Sequence, residues 1–234
     1  MLRAISFDVW NTLLRLDVMF EAVARGVSDV VGIELTSVKK ALEASYNEAR
    51  MARRMAKLYR NPVEYSQELL ATQLNVPVDE VKNGISRALL YIDSGLLFPD
   101  TIPAVEKLGK SNYVLGIVGN TLFWPSSYTR FILEKLGLAR YLKLQVYADE
   151  DGVSKPDRRI FLRFCEKASV SPDEVLHVGD SIVEDVGGAI SASMKVALVD
   201  RARRESEPLV LKRVGLAIIG SLEQIPQAVE MLTS

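Results

Sequence analysis

The chain has 234 residues, 48% of them hydrophobic and 25% charged, with a formal net charge of −1. This is enough apolar material for a substantial core, as one large domain or as a core with an inserted subdomain, and the near-zero charge gives no global electrostatic reason to expect nucleic acid as a partner. No apolar run reaches the ~18 residues of a membrane span, no secretory leader is expected at the start, and the single cysteine, Cys165, excludes an internal disulfide framework, so a cytoplasmic protein is expected.

The first element is an apolar run, "LRAISF" (2–7), that reads as a buried strand and runs into one acid, Asp8, followed by Trp10, Asn11 and Thr12. Residues 15–95 contain no strand pattern. They hold four helical patterns, over 17–32, 36–60, 61–75 and 77–93, broken by Gly32, Pro62 and Pro77, with Thr36 and the pair Asp79–Glu80 as start signals. Arg50, Arg53, Arg54, Lys57 and Arg60 form an acid-free run there. Residues 15–95 carry 11 basic and 11 acidic residues, so the run is local and reads as a solvated helix face, the alternative being a face that attracts an anionic substrate. "GLLFPDTIP" (95–103), with two prolines and a glycine, marks the return of the chain.

From there strands and helices alternate. A helix over 102–111 precedes a strand over 113–119, which ends on Gly119 before Asn120 and Thr121. A helix over 126–142, with a stop at Gly137, leads to a strand over 142–148. A helix over 156–170 opens at Pro156 and places Ile160, Phe161, Phe164 and Cys165 on one side. Strands over 175–179, 195–200 and 215–220 complete the series, and a basic run at Arg201, Arg203 and Arg204 with Glu205 and Glu207 reads as a charged loop. Near-continuous apolar strands alternating with helices predict an α/β fold: a doubly wound, Rossmann-like parallel-sheet core built from residues 1–14 and 96–234, with an all-helical module, 15–95, inserted after the first strand.

Ligands of such sheets bind beyond the carboxyl ends of the strands. The residues just past those ends form a coherent set: Asp8, Trp10 and Thr12; Asn120 and Thr121; Lys155 in "GVSKPD"; and Asp180, Ser181 and Asp185 in "GDSIVEDVGGA". Three carboxylates and a lysine on one edge suit a hard cation and a phosphate-like anion. The competing readings are plainer. Lys155 would be turn chemistry at a helix entrance, Asp180 and Asp185 would cap a helix near Ser181, and Trp10 would fill space. His177, the only histidine, is read as packed rather than catalytic, Cys165 as inert core, and the glycines at 187–188 as helix-to-sheet packing.

The segments "FDVWNTLL", "GIVGNT", "GVSKPDRRIF" and "HVGDSIVEDVGGA" together resemble, in order and over nearly the whole chain, the haloacid dehalogenase (HAD) superfamily of hydrolases, whose helical cap sits where residues 15–95 are inserted. The resemblance implies Asp8 as a nucleophile forming an aspartyl intermediate. It implies Mg2+ held by Asp8, the Trp10 backbone carbonyl, Asp180 and Asp185. It also implies Lys155 neutralising the nucleophile and the transferring group, and Thr12 orienting the first loop. Asn120, Thr121 and Trp10 would then line the substrate site. Two positions depart from the family's phosphatases. Trp10 stands where a general acid/base aspartate is found, and an indole N–H only donates; Gly119 stands where a Ser or Thr hydroxyl is usual. The family's dehalogenases also lack that aspartate, because halide leaves without a proton. The expectation is a magnesium-dependent phosphatase-type hydrolase of a small phosphorylated metabolite, active as a monomer or homodimer. The alternatives are a 2-haloacid dehalogenase-type hydrolase, acting on a halogenated acid, or a catalytically weakened phosphometabolite-binding regulator.

Overall fold

The computed structural model describes residues 1–55 and 61–234, so Lys57, Arg60 and the end of the helix expected over 36–60 lie outside the described residues. The chain forms two compact units: Met1–Leu14 with Leu97–Asn120 and Gly137–Ser234, and Arg15–Leu96 with Thr121–Leu136. In chain order the helices are α1 (Leu16–Val31), α2 (Leu35–Arg54), α3 (Pro62–Leu74), α4 (Val78–Arg87) and α5 (Thr101–Gly109). After them come α6 (Ser126–Lys135), the one-turn α7 (Ala148–Asp151), α8 (Arg158–Ala168), the short α9 (Gly188–Ser191) and α10 (Ile225–Thr233). None among the described residues is long and apolar enough to cross a membrane.

The first unit is built on a seven-stranded sheet: β1 (Ala4–Phe7), β2 (Val114–Gly119), β3 (Leu144–Tyr147), β4 (Val175–Gly179), β5 (Lys195–Val199), β6 (Leu209–Leu211) and β7 (Leu216–Ile219). Their order is β3-β2-β1-β4-β5-β7-β6, parallel except for β6 against β7. All six expected strands are present within two residues of their expected ends. β6 has no counterpart among them. It is a three-residue edge strand with exposed ends, so it never acquires the unbroken apolar run of a strand buried on both faces. β1 and β4 lie side by side at the centre, every residue of both buried, while the strands that come after each are wound to opposite sides. That is the switch point at which such sheets bind ligands.

The sheet's core is completed by α8, whose Ile160, Phe161, Phe164 and Cys165 pack with Val118, Val146, Val175 and Val196. α8 is shorter than its pattern: Asp157 caps its start through the Arg159 N–H, leaving Pro156 outside, and it stops at Ser169 in the left-handed region. α6 likewise ends before Gly137 (φ 74°) rather than running on to residue 142. Burial pushes the Cys165 thiol up to about 11, as suits an inert core cysteine.

The second unit is helical. Gly32 ends α1, Asn61 and Pro62 open α3, and Pro77 precedes α4, as expected. Thr36 does not start α2; Glu34 does, its carboxylate taking the Ser37 N–H at 3.2 Å. Residues 121–136, expected with the sheet, belong to this unit. Ser66 Oγ accepts the Phe123 N–H (2.7 Å) and Gln67 donates to the Phe123 carbonyl (2.6 Å), while Phe20 packs edge-on against Phe123 and Trp124. Such long-range backbone satisfaction leaves no local sequence pattern.

Candidate active site

β1 ends at Phe7, and the Asp8 N–H still pairs with the Val178 carbonyl of β4 (2.8 Å), which fixes where the acid emerges from the sheet. The next residues fold back tightly. The N–H groups of Leu13 and Leu14 return to the Val9 carbonyl (2.9 and 2.8 Å), and Asn11 takes a positive φ (62°), a conformation asparagine tolerates. Thr12 is fully buried, with its hydroxyl 3.5 Å from Asp8 Oδ2, a long contact. Arg201 pins this turn. Its guanidinium donates to the Thr12 carbonyl (2.6 Å) and to Asp100 (2.6 Å) and lies 4.0 Å over the Phe98 ring. Arg201 therefore acts as a structural clamp from within the charged loop, where Arg203 also pairs with Glu205.

Lys155 is 1% exposed and its Nζ donates to Asp8 Oδ1 (2.6 Å) and Asp185 Oδ1 (2.7 Å). Its main chain is held at both polar atoms by Asn120, which accepts the Lys155 N–H (2.8 Å) and donates to the Lys155 carbonyl (3.0 Å). Asn120 thus positions the lysine, a different use from the substrate contact expected of it. Thr121 is buried in the segment that clusters with the helical unit, its hydroxyl without a hydrogen-bond partner among the described residues. Trp10 is half-buried, its main chain bridged to Leu14.

Asp185 reaches back from a π-helical turn (Ile182–Gly187) to the end of β4, where its Oδ2 accepts the Ser181 N–H (2.9 Å). Gly179 makes that possible, since a Cβ there would overlap the Asp185 carboxyl. Ser181 caps the turn through the Glu184 N–H (3.2 Å), so neither Asp180 nor Asp185 is needed as its cap. Gly188 admits the Phe161 ring of α8, a close approach of two helices in place of the expected helix-to-sheet packing. One oxygen from each of Asp8, Asp180 and Asp185 lies within 4.8 Å of the others, an arrangement able to hold a metal ion. The span of two opposed magnesium ligands is about 4.2 Å, so three carboxylates this close need little adjustment.

The charges explain the titration of the group. Burial pushes Asp8 up to about 6, with Lys155 opposing the rise and Asp185 adding to it. Burial, then Asp8 and Asp185, push Asp180 up to about 7. Burial would raise Asp185 as well, but Lys155 and the His177 donor overcome it and hold the carboxyl well below the usual range. Lys155 stays above its ordinary value despite burial because two carboxylates face it. Three acids against one ammonium leave an excess of negative charge that a divalent cation would balance, so the donor set fits magnesium.

Asp8, Lys155, Asp180 and Asp185 therefore converge. Ser6, His177 and Arg201 complete their surroundings, and sequence reasoning does not pick them out as site residues. A faint signal exists for two of them: Ser6 and His177 are polar residues in two fully buried strands, and they pair in register. Gly119 also has a reason, because a Cβ there would lie 2.8 Å from the Tyr147 ring. Beside Asp180 a groove of about 530 Å3 opens between Asn11, Phe98, Ile182, Leu198 and Arg201.

Comparison with known proteins identifies the family. The family described as haloacid dehalogenase-like hydrolase matches residues 2–193. A glyceraldehyde 3-phosphate phosphatase from Methanopyrus kandleri is 25% identical over 219 residues, covering 89% of this chain and 88% of that protein. The (S)-2-haloacid dehalogenase 4A of Burkholderia cepacia is 27% identical over 201 residues, covering 86% and 84%. Among solved structures, the HAD-hydrolase YfnB from Bacillus subtilis bound to magnesium superposes with a TM-score of 0.76 at 20% identity, over 100% of this chain and 99% of that one.

Proposed function

Since the chain belongs to the haloacid dehalogenase-like hydrolases, we propose that it is a magnesium-dependent phosphatase-type enzyme of the cytoplasm that hydrolyses a small phosphorylated metabolite through Asp8. The observation that carries this reading is the buried ion-pair chain Asp8–Lys155–Asp185, with Asp180 completing a cluster of three acids. A dehalogenation site has no use for the third acid, whereas a hard cation does. Asp8, Asp180, Asp185 and the Trp10 carbonyl would hold magnesium, which when bound would offset charge on the phosphoryl oxygens. The groove beside Asp180 is of metabolite size.

In this reading an Asp8 oxygen attacks phosphorus, forming an O–P bond as the bond to the leaving oxygen breaks and that oxygen departs with the electron pair. The Lys155 ammonium, on the other Asp8 oxygen, stabilises the added charge. Thr12 keeps the loop in register. Water then attacks the aspartyl phosphate, releasing inorganic phosphate and restoring Asp8. Trp10 cannot protonate the leaving oxygen, and loss of such help typically costs 10²–10⁴-fold, about 3–5 kcal/mol of barrier. Aryl and acyl phosphates are therefore the favoured substrates. Hydrolysis of p-nitrophenyl phosphate with magnesium, compared between the wild type and Asp8→Asn, tests this; equal rates would remove the covalent mechanism. Trp10→Asp should accelerate hydrolysis of alkyl phosphates.

A second reading is favoured by Trp10 itself: Asp8 attacks a carbon bearing halide, the C–O bond forms and the halide leaves without a proton. It requires chloride release from 2-chloropropionate in the absence of metal, and no release would exclude it. Magnesium and phosphometabolite binding with no turnover of either substrate would instead assign a regulatory role.

A further inference from the structure

We propose that His177 is a positioning residue for the Asp8 site: its Nε2–H holds the Asp185 carboxylate in the orientation that anchors Lys155 and faces the magnesium position, and Ser6 fixes the ring from the other side. The metal part of this inference rests on the phosphatase-type reading, and the ring geometry stands without it.

His177 lies in the middle of β4 with no exposure, opposite Ser6 in the paired register of β1. Its Nε2 is 3.0 Å from Asp185 Oδ1 and its Nδ1 is 2.9 Å from Ser6 Oγ, while the ring stands edge-on to Phe161 with centroids 4.9 Å apart. A buried imidazole needs partners for both nitrogens, and here both have one. Asp185 is held from three directions: Oδ1 takes Lys155 Nζ at 2.7 Å and His177 Nε2, and Oδ2 takes the Ser181 N–H. His177 supplies the contact that comes from the rigid sheet; the other two come from loop segments.

The proton positions are set by the partners. The Asp185 oxygen that faces His177 also takes the Lys155 ammonium and acts as an acceptor, so the His177 proton is placed on Nε2. With that proton on Nε2, Nδ1 of the neutral ring is the acceptor for the Ser6 hydroxyl 2.9 Å away. The ring thus orients the carboxylate without adding a charge to the cluster. Groups in this position behind metal-site carboxylates typically control metal affinity or activity by 10–100-fold.

His177 is the only histidine in the chain, so its ring gives a single set of long-range 1H–15N correlations in the full-length protein. The neutral Nε2–H tautomer is expected, with signals that shift on addition of magnesium chloride. An Nδ1–H tautomer, or signals indifferent to saturating magnesium, overturns the inference. Calorimetric magnesium titrations then compare His177→Gln, whose terminal amide can replace the donor, with His177→Leu, which fills the space without one. His177→Leu should bind magnesium about 10–100-fold more weakly and lower kcat more than it raises KM for p-nitrophenyl phosphate, and His177→Gln should recover most of the loss. Unchanged affinity in His177→Leu, or equal losses in both variants, overturns the inference. Should His177→Leu fail to fold, Ser6→Ala takes its place, and unchanged magnesium affinity there has the same force. A wild type that binds magnesium but turns nothing over removes the phosphatase reading, while the affinity comparison still decides the role of His177.

Discussion

Replacing Asp8 by Asn should stabilise the metal-free protein while abolishing turnover. The ordinary value of an aspartate is 3.8, and burial lifts that of Asp8 to about 6. Between those values the folded state binds a proton that the unfolded state has released, so stability falls as pH rises through that window and levels off above about pH 6. A tenfold change in acidity is worth 1.36 kcal/mol, so a rise of about 2 pH units makes the ionised site about 3 kcal/mol less stable at pH 7 than its neutral counterpart. Asparagine keeps the shape and removes the charge. In EDTA at pH 7 the Asp8→Asn melting temperature should therefore rise by about 6–12 °C, at about 2–4 °C per kcal/mol for a chain of this size. The gain should disappear near pH 4. Magnesium should reverse the order at high concentration, since about 1,000 times Kd adds about 4.1 kcal/mol to a protein that binds it, more than the about 3 kcal/mol advantage of a variant that has lost a ligand. Equal melting temperatures in EDTA at pH 7, or a gain that persists at pH 4, would refute the claim that a buried charge at Asp8 destabilises this site. Asp180→Asn should act in the same direction, but the two gains should not add, because the Asp8 charge is itself one of the causes that raise Asp180.

Gly119→Ser should cost about 1–3 kcal/mol in urea unfolding, since its Cβ would press on the Tyr147 ring; combined with Tyr147→Ala it should cost less than the sum of the two single changes. Arg201→Ala should lose about 2 kcal/mol from its contacts with Asp100 and the Thr12 carbonyl, and should lower kcat by loosening the turn that carries Asp8. Cys165, 4% exposed and with its thiol raised to about 11, should resist iodoacetamide at pH 8 in the native state and react fully in urea.

The sheet is legible in the sequence because its central strands are buried on both faces, which writes each as an unbroken apolar run. β6 escapes because it borders solvent, and the segment 121–136 reads as part of the sheet unit because it lies between two strands in sequence. Its membership of the helical unit depends on Ser66 and Gln67 satisfying the Phe123 backbone, partners more than fifty positions away. Thr36 misleads for a local reason: Glu34, two residues earlier, already takes the Ser37 N–H with a charged acceptor, so the helix begins before Thr36.

The residues expected to do chemistry are legible for a simple reason, that each lies in the segment following the carboxyl end of a sheet strand, where topology alone brings strand ends together. The residues that hold them are defined by separations that no local pattern reports: 35 positions from Asn120 to Lys155, 171 from Ser6 to His177 and 189 from Thr12 to Arg201. The two departures at Trp10 and Gly119 then acquire different weights. Gly119 is enforced by Tyr147, so its missing hydroxyl is a packing consequence that one further substitution would relieve. No such constraint is needed to account for Trp10, which leaves the charge-balancing parts of the cluster in place and removes only the proton donor. On the proposed reading the enzyme therefore keeps its means of stabilising a phosphoryl group and discriminates by the basicity of what leaves. Its rates across a series of aryl phosphates should fall steeply as the pKa of the leaving phenol rises, and Trp10→Asp should flatten that slope. A slope unchanged by Trp10→Asp would mean that proton transfer at this position never limits the reaction.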